Sequence, residues 1–446
     1  MYIRLPKHTK QKRLKTQLLA AYHIAIQSVY LPFSFLAVPS RSAHHQERTM
    51  DTSGSAVFRS VQVMMLTSRI AGCPFVDDLC KTKARERFSM LSPIRGLLRL
   101  VYFLVCASLF SCLLSTYVII RLWFSRPTDQ ITIVTQAGNY LVVYGQAMIS
   151  FLNMVLRRDL LADIVLSAVK LEPNLFLDTR NASRRLWKLS LLCLLFTMAD
   201  AVKLFAGHSG HIAVASLLLE GQSEHLFMLA YIASCFLLSV WYNMVFWQIV
   251  CFSSLFREYF ATLARRLEGS LERDSAHVDD GRCLAAEYAR VNLVELQRLL
   301  RKVDAFVGPQ ALCYYAGSVF FLCGMLYRIA VSSNTLIQKV SRWSYTAAMV
   351  AGLVLSTAAV GSMSSQVSRI QSIIQASKFQ KLSDAATHRL HILLLAVEEL
   401  RGCLTGCGMF VINLPLIVAI AGAVITYTVV LVQTNESIMG NKCLKP

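Results

Sequence analysis

Two polar side chains near the carboxyl end of the chain could lie on one helix face and line a passage for cations. Thr426 and Gln433 lie seven residues apart in an uncharged run, about two helical turns, so both would lie on one helix face. The uncharged amide of Gln433 can replace part of a cation's hydration shell and release the ion quickly. Val429 and Val430 lie between them and could form an apolar constriction. Alternatively, Gln433 only ends a membrane span at the headgroups, and Thr426 bonds to a backbone carbonyl of its own helix.

A second group of side chains could bind a small organic ligand. Such a pocket combines aromatic walls with a few polar groups. Four aromatic residues lie near the ends of long apolar runs and could supply these walls: Tyr231, Tyr327, Trp343 and Tyr345. Each could instead belong to the aromatic belt at the membrane interface, which is the commoner role for Trp343 and Tyr327.

Catalytic and metal-binding patterns are not found in the sequence. A nucleophile elbow, a phosphate-binding glycine loop and a zinc-protease motif are all missing, so we predict no enzymatic activity and no cofactor. The thirteen cysteines lie mostly in apolar runs, as small packing residues do. Cys403 and Cys407 have no His or carboxylate beside them, so no metal site is predicted. The formal charge of +19 falls in blocks between uncharged runs, which disfavours a nucleic-acid partner.

The elements that must position these residues are apolar helices. Hydrophobic residues make up 55% of the 446-residue chain, with a mean hydropathy of +0.49, more than a soluble core needs. A spanning helix takes about 20 mostly apolar residues. Seven stretches qualify: 100–120, 130–156, 186–206, 225–256, 305–327, 343–368 and 402–435. We therefore predict an all-α membrane protein with seven transmembrane helices.

Positive charge predicts the orientation of these spans, because cytoplasmic loops are enriched in Lys and Arg. With the N-terminus inside, 37 of the 45 Lys and Arg residues lie in cytoplasmic segments and 8 lie outside. The odd number of spans then places the C-terminus outside. The weakest span, 186–206, carries Asp200 and Lys203, three residues apart on one helical face. They could neutralise each other near the outer end or form an ordinary pair at the membrane surface.

The last apolar run carries a family resemblance. From Gly406 to Gln433 it reads GCGMFVINLPLIVAIAGAVITYTVVLVQ. It resembles the insect gustatory receptors, whose last helix carries Thr-Tyr, five mostly hydrophobic residues, Gln and Phe. Thr426, Tyr427 and Gln433 match this pattern, whereas Thr434 replaces the Phe. Sugar-receptor members usually have Glu after the Thr-Tyr pair, where this chain has Thr428.

The resemblance implies a ligand-gated, nonselective cation channel that detects small tastants. It implies a multi-pass protein in the plasma membrane of sensory neurons, on a dendrite, axon or cell body, in contact with membrane lipid. The assembly would be a homo- or heterotetramer with other gustatory receptors, in which each last helix lines a central pore. Four copies of Gln433 would then form one ring. Inner-loop helices would form a cytoplasmic anchor domain, and a ligand pocket would lie in the outer half of each bundle.

Five parts of the chain follow from this plan. They are a cytoplasmic N-terminal region 1–96, a helical bundle 97–363 with spans 1–6 and cytoplasmic loops 157–188 and 257–304, a cytoplasmic anchor helix 364–402, a pore-lining seventh span 403–435 and an extracellular tail 436–446. Residues 16–40 are also uncharged and follow a basic stretch. We favour a cytoplasmic or interfacial position for them, with an extra span or an incorrect start codon as alternatives.

Two other classes of protein have comparable numbers of helices. A G-protein-coupled receptor would place its N-terminus, and with it 37 basic residues, outside the cell. A secondary transporter usually has repeats and helices broken at mid-membrane. In this chain we expect only Pro415 to interrupt a span.

The predicted orientation can be tested with epitope tags on the two termini. Antibodies should label a C-terminal tag on intact cells, and an N-terminal tag only after permeabilisation, because the basic segments hold the N-terminus inside. A C-terminal tag that is hidden in intact cells would show that a span was miscounted or that the orientation is reversed.

Overall fold

Long α-helices make up almost all of the part of the chain that the structure describes. This computed structural model describes residues 55–71, 101, 105, 130–207, 224–271, 278–331, 336–377, 384–400 and 404–443. Nine helices lie in these ranges: α1 Ala56–Ile70, α2 Gln130–Leu156, α3 Arg158–Leu175, α4 Thr179–Gly207, α5 Glu224–Leu271, α6 Val278–Val331, α7 Leu336–Ser377, α8 Asp384–Glu399 and α9 Leu414–Cys443.

Five of these helices contain a segment that is long and apolar enough to cross a membrane. The segments are Ala137–Leu156, Ile232–Leu271, Gly281–Val331, Arg342–Ser377 and Leu414–Ser437. They correspond to the predicted spans 2 and 4–7, and α4 contains the predicted span 3. The predicted span 1, apart from the helical residues Val101 and Val105, and residues 16–40 lie outside the described residues. The fold is therefore an all-helical membrane bundle, and the count of seven spans stays a prediction.

The ends of α5, α6 and α7 that the topology predicts to be inside the cell continue the spans into a packed helical region. Apolar residues that recur at helical spacing in this part of the sequence are buried there, at Leu293, Leu296, Leu299, Leu300, Val303, Ile370, Ile374, Leu390, Leu393, Leu394 and Val397. The predicted anchor helix 364–402 is two elements in the structure. Its first part is the end of α7, which stops at Ser377, and α8 begins at Asp384.

The bounds of the last helix also differ from the predicted span 403–435. Residues 404–413 are not helical, α9 begins at Leu414, and it continues to Cys443 through most of the predicted tail. Pro415 does not interrupt this helix, because it lies in the first turn, where its missing N–H would have no helical partner. The proline inside a span is Pro309, in the middle of α6. The expectation that only Pro415 interrupts a span was therefore wrong.

A local cap explains where α4 begins. The Asp178 carboxylate accepts hydrogen bonds from the backbone N–H of Asn181 at 3.2 Å and from its side-chain amide at 2.6 Å. These bonds satisfy a donor that the first helical turn leaves unpaired. Because they favour the charged form, they hold the pKa of Asp178 below its ordinary value.

The short helix α1 packs into the bundle through a buried carboxylate. Glu172, near the end of α3, accepts hydrogen bonds from the backbone N–H groups of Ala56 at 2.9 Å and Val57 at 2.8 Å, and from the Tyr259 hydroxyl at 2.8 Å. At the other end of α1, the Trp241 indole donates to the carbonyl oxygen of Ala71 at 2.9 Å. Since Tyr259 and Trp241 both lie on α5, α1 runs antiparallel to α5. Its fifteen residues span about 22 Å, less than the roughly 30 Å of hydrocarbon.

Glu172→Ala should destabilise the protein by about 2 to 4 kcal/mol, because the change leaves three donors without their acceptor. Tyr259→Phe removes only one donor and should cost about 1 kcal/mol. The unfolding midpoint in detergent measures both changes, and Glu398→Gln, at an exposed position on α8, is the matched control. Equal midpoints for Tyr259→Phe, Glu398→Gln and the wild type would contradict the role given to the Glu172 carboxylate.

Candidate functional site

The residues predicted to line a pore share the face of α9 that points away from the other described helices. Thr426, Val429, Val430 and Gln433 recur at helical spacing and are all exposed. The opposite face carries the buried Ile420, Val424 and Asn435 and packs against α6 and α7. Thr426 donates to the Gly422 carbonyl at 2.9 Å, as the alternative interpretation of this residue expected. Its hydroxyl can still accept a hydrogen bond.

The position of Gln433 along the axis of the bundle follows from one contact between α6 and α9. The Cys323 thiol donates to the Val424 carbonyl oxygen at 3.7 Å. The two helices run in the same direction if α6 and α9 are both odd-numbered spans, as the topology predicts. Gln433, nine residues after Val424, then lies about 13 Å beyond Cys323. This position is close to the end of α6 at Val331. Gln433 thus lies at the end of the bundle that the charge distribution predicts to be outside.

The four aromatic residues predicted for a ligand pocket have different environments. Tyr327 is completely buried on α6, and Trp343 on α7 is 54% exposed. Tyr345 is partly buried, and the side chain of Tyr231 lies outside the described residues. The exposure of Trp343 fits the interfacial belt, whereas the burial of Tyr327 fits a position between helices. A shared pocket for these four residues stays a prediction.

A short turn, residues 404–413, precedes α9, and we call it the elbow. Thr405 and Val411 form an antiparallel bridge. The turn needs positive φ at Cys407 (54°) and Gly408 (73°). The Asp304 carboxylate of α6 accepts hydrogen bonds from the Thr405 backbone N–H at 2.6 Å and from its hydroxyl at 2.8 Å. The start of the last helix is therefore tied to α6.

The same part of α6 contains a backbone carbonyl without its helical donor, and residues at the end of α2 and directly after it donate hydrogen bonds there. Pro309 has no N–H, so the carbonyl of Ala305 loses its helical donor. The Arg157 guanidinium donates to that carbonyl, and the Asn153 amide donates to the next one, that of Phe306, at 2.9 Å. Gly308 lies against the elbow, since a Cβ there would be 3.2 Å from the backbone nitrogen of Cys407. Residues 304–309 of α6 therefore contact α2 on one side and the elbow on the other, and we call them the α6 junction.

Aromatic contacts extend from the middle of the bundle to the elbow. Tyr314 and Tyr315 of α6 form an edge-to-face pair at 5.4 Å, and Tyr315 forms another with Phe410 of the elbow at 5.8 Å. The Tyr315 hydroxyl is 2.9 Å from the Ser356 hydroxyl and 3.0 Å from that of Thr357, both on α7. Tyr315 therefore contacts both α7 and the elbow.

A polar cluster lies among α4, α5, α6 and α7. The Asp200 carboxylate accepts hydrogen bonds from the Ser239 hydroxyl at 3.1 Å and from the Asn243 amide at 2.9 Å. It also acts electrostatically on the hydroxyl groups of Tyr242 and Tyr314. The side chain of Lys203, which could neutralise Asp200, lies outside the described residues. Ser239 and Asn243 both lie on α5, so these two hydrogen bonds join α4 to α5.

Several of these residues were missed by sequence reasoning. Pro309 was a visible signal, because a proline inside an apolar run of helical length requires donors from elsewhere. Glu172 beside Pro173 and Asp304 at the inner end of a span were also visible, but the sequence does not show which backbone N–H groups these carboxylates meet. The spacing of Thr426, Val429, Val430 and Gln433 did place them on one face, as the structure has them.

Comparison with known families shows to which family this chain belongs. The family model described as "7tm Chemosensory receptor" matches residues 61–438, most of the chain. The chain belongs to this chemosensory receptor family. The predicted membership among the insect chemoreceptors is confirmed, and this receptor is a multi-pass membrane protein. Among curated proteins, no significant match is found.

Two solved structures share the fold of this chemosensory receptor. The insect olfactory receptor OR5 from Machilis hrabei in complex with eugenol has a TM-score of 0.61 at 14% identity, covering 84% of this chain and 98% of that one. A second structure of the same olfactory receptor has a TM-score of 0.62 at 13% identity and the same coverage. At this identity the likeness shows the fold alone, which is that of an insect odorant receptor.

The role of the Arg157 hydrogen bond at the α6 junction can be tested with a double-mutant cycle. Arg157→Met should destabilise the receptor by about 1 kcal/mol, because the Ala305 carbonyl loses its donor. In a Pro309→Ala background the residue at 309 has an N–H that bonds to that carbonyl, so Arg157→Met should cost less than half as much.

The unfolding midpoint in detergent measures both arms of this cycle. Arg158→Met is the control, because it removes the neighbouring positive charge and its surface ion pair with Asp159, which is worth little. An Arg157→Met effect that is the same in both backgrounds would show that Arg157 does not act through the proline defect.

Proposed function

We propose that this receptor is a gustatory receptor, a ligand-gated and nonselective cation channel that opens on small tastants. It acts as a homo- or heterotetramer in the plasma membrane of sensory neurons. The Thr426, Tyr427 and Gln433 motif supports the gustatory assignment, because it is the pattern of the gustatory receptors' last helix. The observation that carries the channel proposal is the unpaired face of α9.

The most apolar of the five spanning segments is also the least covered by the described part of the chain. In the 18-residue apolar stretch of Leu414–Ser437 only 11% is buried against the described residues, compared with 89% in the corresponding stretch of Ile232–Leu271 in α5. Lipid can cover the apolar part of this surface, at residues such as Val418 and Ile425, which are 73% and 63% exposed. Lipid cannot satisfy the Gln433 amide, which needs water, ions or other polar groups. An assembly that encloses the Thr426–Gln433 face around a water-filled path provides these groups.

Gating requires a ligand site within each bundle. In the solved relative, the insect olfactory receptor OR5 is in complex with eugenol, a small aromatic molecule. We assign the same kind of ligand, a small organic molecule, to a pocket in the outer half of this bundle. Tyr231, Tyr327, Trp343 and Tyr345 remain candidates for its walls.

The elbow provides the connection between such a pocket and the pore. A ligand that shifts α6 against α7 changes the packing of Tyr315, whose hydroxyl meets Ser356 and Thr357 and whose ring meets Phe410. The elbow moves with Phe410, and α9 begins at the end of the elbow. Spatial contact of this kind supports coupling, and a measured change in gating is needed to establish it.

Gln433→Ala should change ion selectivity without preventing expression, because the side chain is exposed and would line the narrow part of the pore. Cells that express the receptor are first screened with sugars, alkaloids and other tastants for an activating compound. Relative permeabilities to Na⁺, K⁺ and Ca²⁺ are then measured from reversal potentials, and a shift on the order of twofold is expected.

Thr434→Ala is the matched control for this experiment. Thr434 is next to Gln433, and its hydroxyl bonds to the Val430 carbonyl at 2.8 Å, so its loss should leave the permeability sequence unchanged. An unchanged sequence in Gln433→Ala as well would remove Gln433 from the pore. The absence of ligand-dependent current for every compound, at normal surface expression, would count against the channel itself.

A further inference from the structure

One face of α4 is exposed along the described length of the helix, and we call it the α4 stripe. The opposite face, with Leu186, Cys193 and Thr197, is buried and packs against α1 and α5. The residues of the α4 stripe recur at intervals of three or four, so they share one side of the helix. They are Arg180, Arg184, Trp187, Lys188, Leu191, Leu192, Leu195, Met198, Ala199 and Val202.

The chemistry of the α4 stripe changes along the helix axis. Its beginning carries positive charge, and Trp187, which is 46% exposed, follows. From Leu191 to Val202 every exposed residue is apolar. This apolar part rises about 16 Å along the helix, close to the roughly 15 Å that one leaflet contributes to the hydrocarbon of a bilayer. Charge, indole and hydrocarbon thus follow one another in the order of headgroup, interface and acyl chain.

The positive side chains of the α4 stripe differ in their protein partners. Arg180 acts electrostatically on the Asp178 carboxylate, which caps the helix. The side chains of Arg184 and Lys188 form no ion pair within the part of the chain that the structure describes. They lie four residues apart, so both occupy one side of the helix with a rise of about 6 Å between them. Their two charges are therefore available to one anionic group at the membrane surface.

The predicted topology places these charges in the leaflet that holds anionic lipids. The beginning of α4 is predicted to be cytoplasmic, and the cytoplasmic leaflet carries the negative surface potential of a cell membrane. An arginine guanidinium can donate two parallel hydrogen bonds to phosphate oxygens, and a lysine ammonium adds a point charge. A zwitterionic headgroup contains an ammonium group that Arg184 and Lys188 repel. The charge of the site thus favours an anionic headgroup over a zwitterionic one.

We propose that the beginning of the α4 stripe is a binding site for an anionic phospholipid of the cytoplasmic leaflet. The lipid headgroup binds Arg184 and Lys188, and the Trp187 indole lies at the level of the glycerol backbone. An acyl chain lies along the apolar residues from Leu191 to Val202. This site goes beyond the proposed function, because it binds a lipid rather than a tastant, and its leaflet follows from the predicted topology.

Stabilisation of the purified full-length receptor by short-chain lipids tests this site, because a ligand that binds only the folded state raises the unfolding midpoint. Dioctanoyl phosphatidylserine should raise the midpoint in detergent at lower concentration than dioctanoyl phosphatidylcholine. Arg184→Gln combined with Lys188→Gln should raise the half-maximal concentration of phosphatidylserine about 10- to 30-fold, the loss expected for two basic groups at a headgroup. The response to phosphatidylcholine, and the midpoint without lipid, should not change.

A matched pair of substitutions controls for the overall charge of the receptor. Arg290→Gln combined with Arg298→Gln removes the same charge from α6, where these arginines pair with Glu287 and Glu295. The response to phosphatidylserine should be that of the wild type. Phosphoserine, which is the headgroup without acyl chains, should not stabilise the receptor at the concentrations at which the lipid acts. An equal loss of the phosphatidylserine response in both pairs, or equal stabilisation by phosphoserine, would overturn the inference.

The fluorescence of Trp187 shows whether lipid occupies the α4 stripe. In nanodiscs, brominated phosphatidylserine should quench this tryptophan more than brominated phosphatidylcholine does, and Trp187→Phe defines its share of the signal. Arg184→Gln combined with Lys188→Gln should remove the difference between the two lipids. If neither lipid quenches Trp187, a protein surface such as a second copy of the chain covers the stripe, and the inference is wrong. No channel current is measured, so the result does not depend on the proposed function.

Discussion

The structure depends on the constraint that every backbone polar group inside a membrane must form a hydrogen bond within the protein. Lipid offers no hydrogen bonds, so each break in a helix at membrane depth needs donors or acceptors from elsewhere in the protein. The α6 junction and the elbow contain two such breaks next to each other. Arg157 and Asn153 provide donors to α6, and Asp304 provides acceptors to Thr405. These few side chains therefore fix the positions of three helices, α2, α6 and α9, relative to one another.

The same constraint makes the α6 junction the boundary between two regions that pack differently. On the side that the topology predicts to be cytoplasmic, α5, α6, α7 and α8 bury aliphatic residues, which resist sliding because apolar side chains interdigitate. On the other side, the bundle contains hydrogen-bonded groups such as Tyr315 with Ser356 and Thr357. Hydrogen-bonded pairs between helices have few alternative arrangements, so movement there is expected to occur in discrete steps. Such steps would suit the proposed coupling between the bundle and α9.

Features that depend on one helix at a time could be predicted from the sequence. The stripe from Leu293 to Val303 and the shared face of Thr426 and Gln433 follow from a period of 3.6 residues. The start of α9 was misplaced because residues 404–413 are as apolar as a span, and the turn is set by positive φ at Cys407 and Gly408. The packing of α1 was missed because its anchor, Glu172, lies more than a hundred residues away. Hydropathy does not record which carboxylate meets which N–H group.

Asp200 shows the limit of sequence reasoning about side-chain partners. Spacing on one helix places Lys203 on the same face, because residues three apart are neighbours. The structure adds hydrogen bonds from Ser239 and Asn243, 39 and 43 residues further along the chain. Both donors lie on α5, and the spacing of residues on α4 does not indicate which residues of α5 it meets. Contacts between helices therefore follow only from the packed fold.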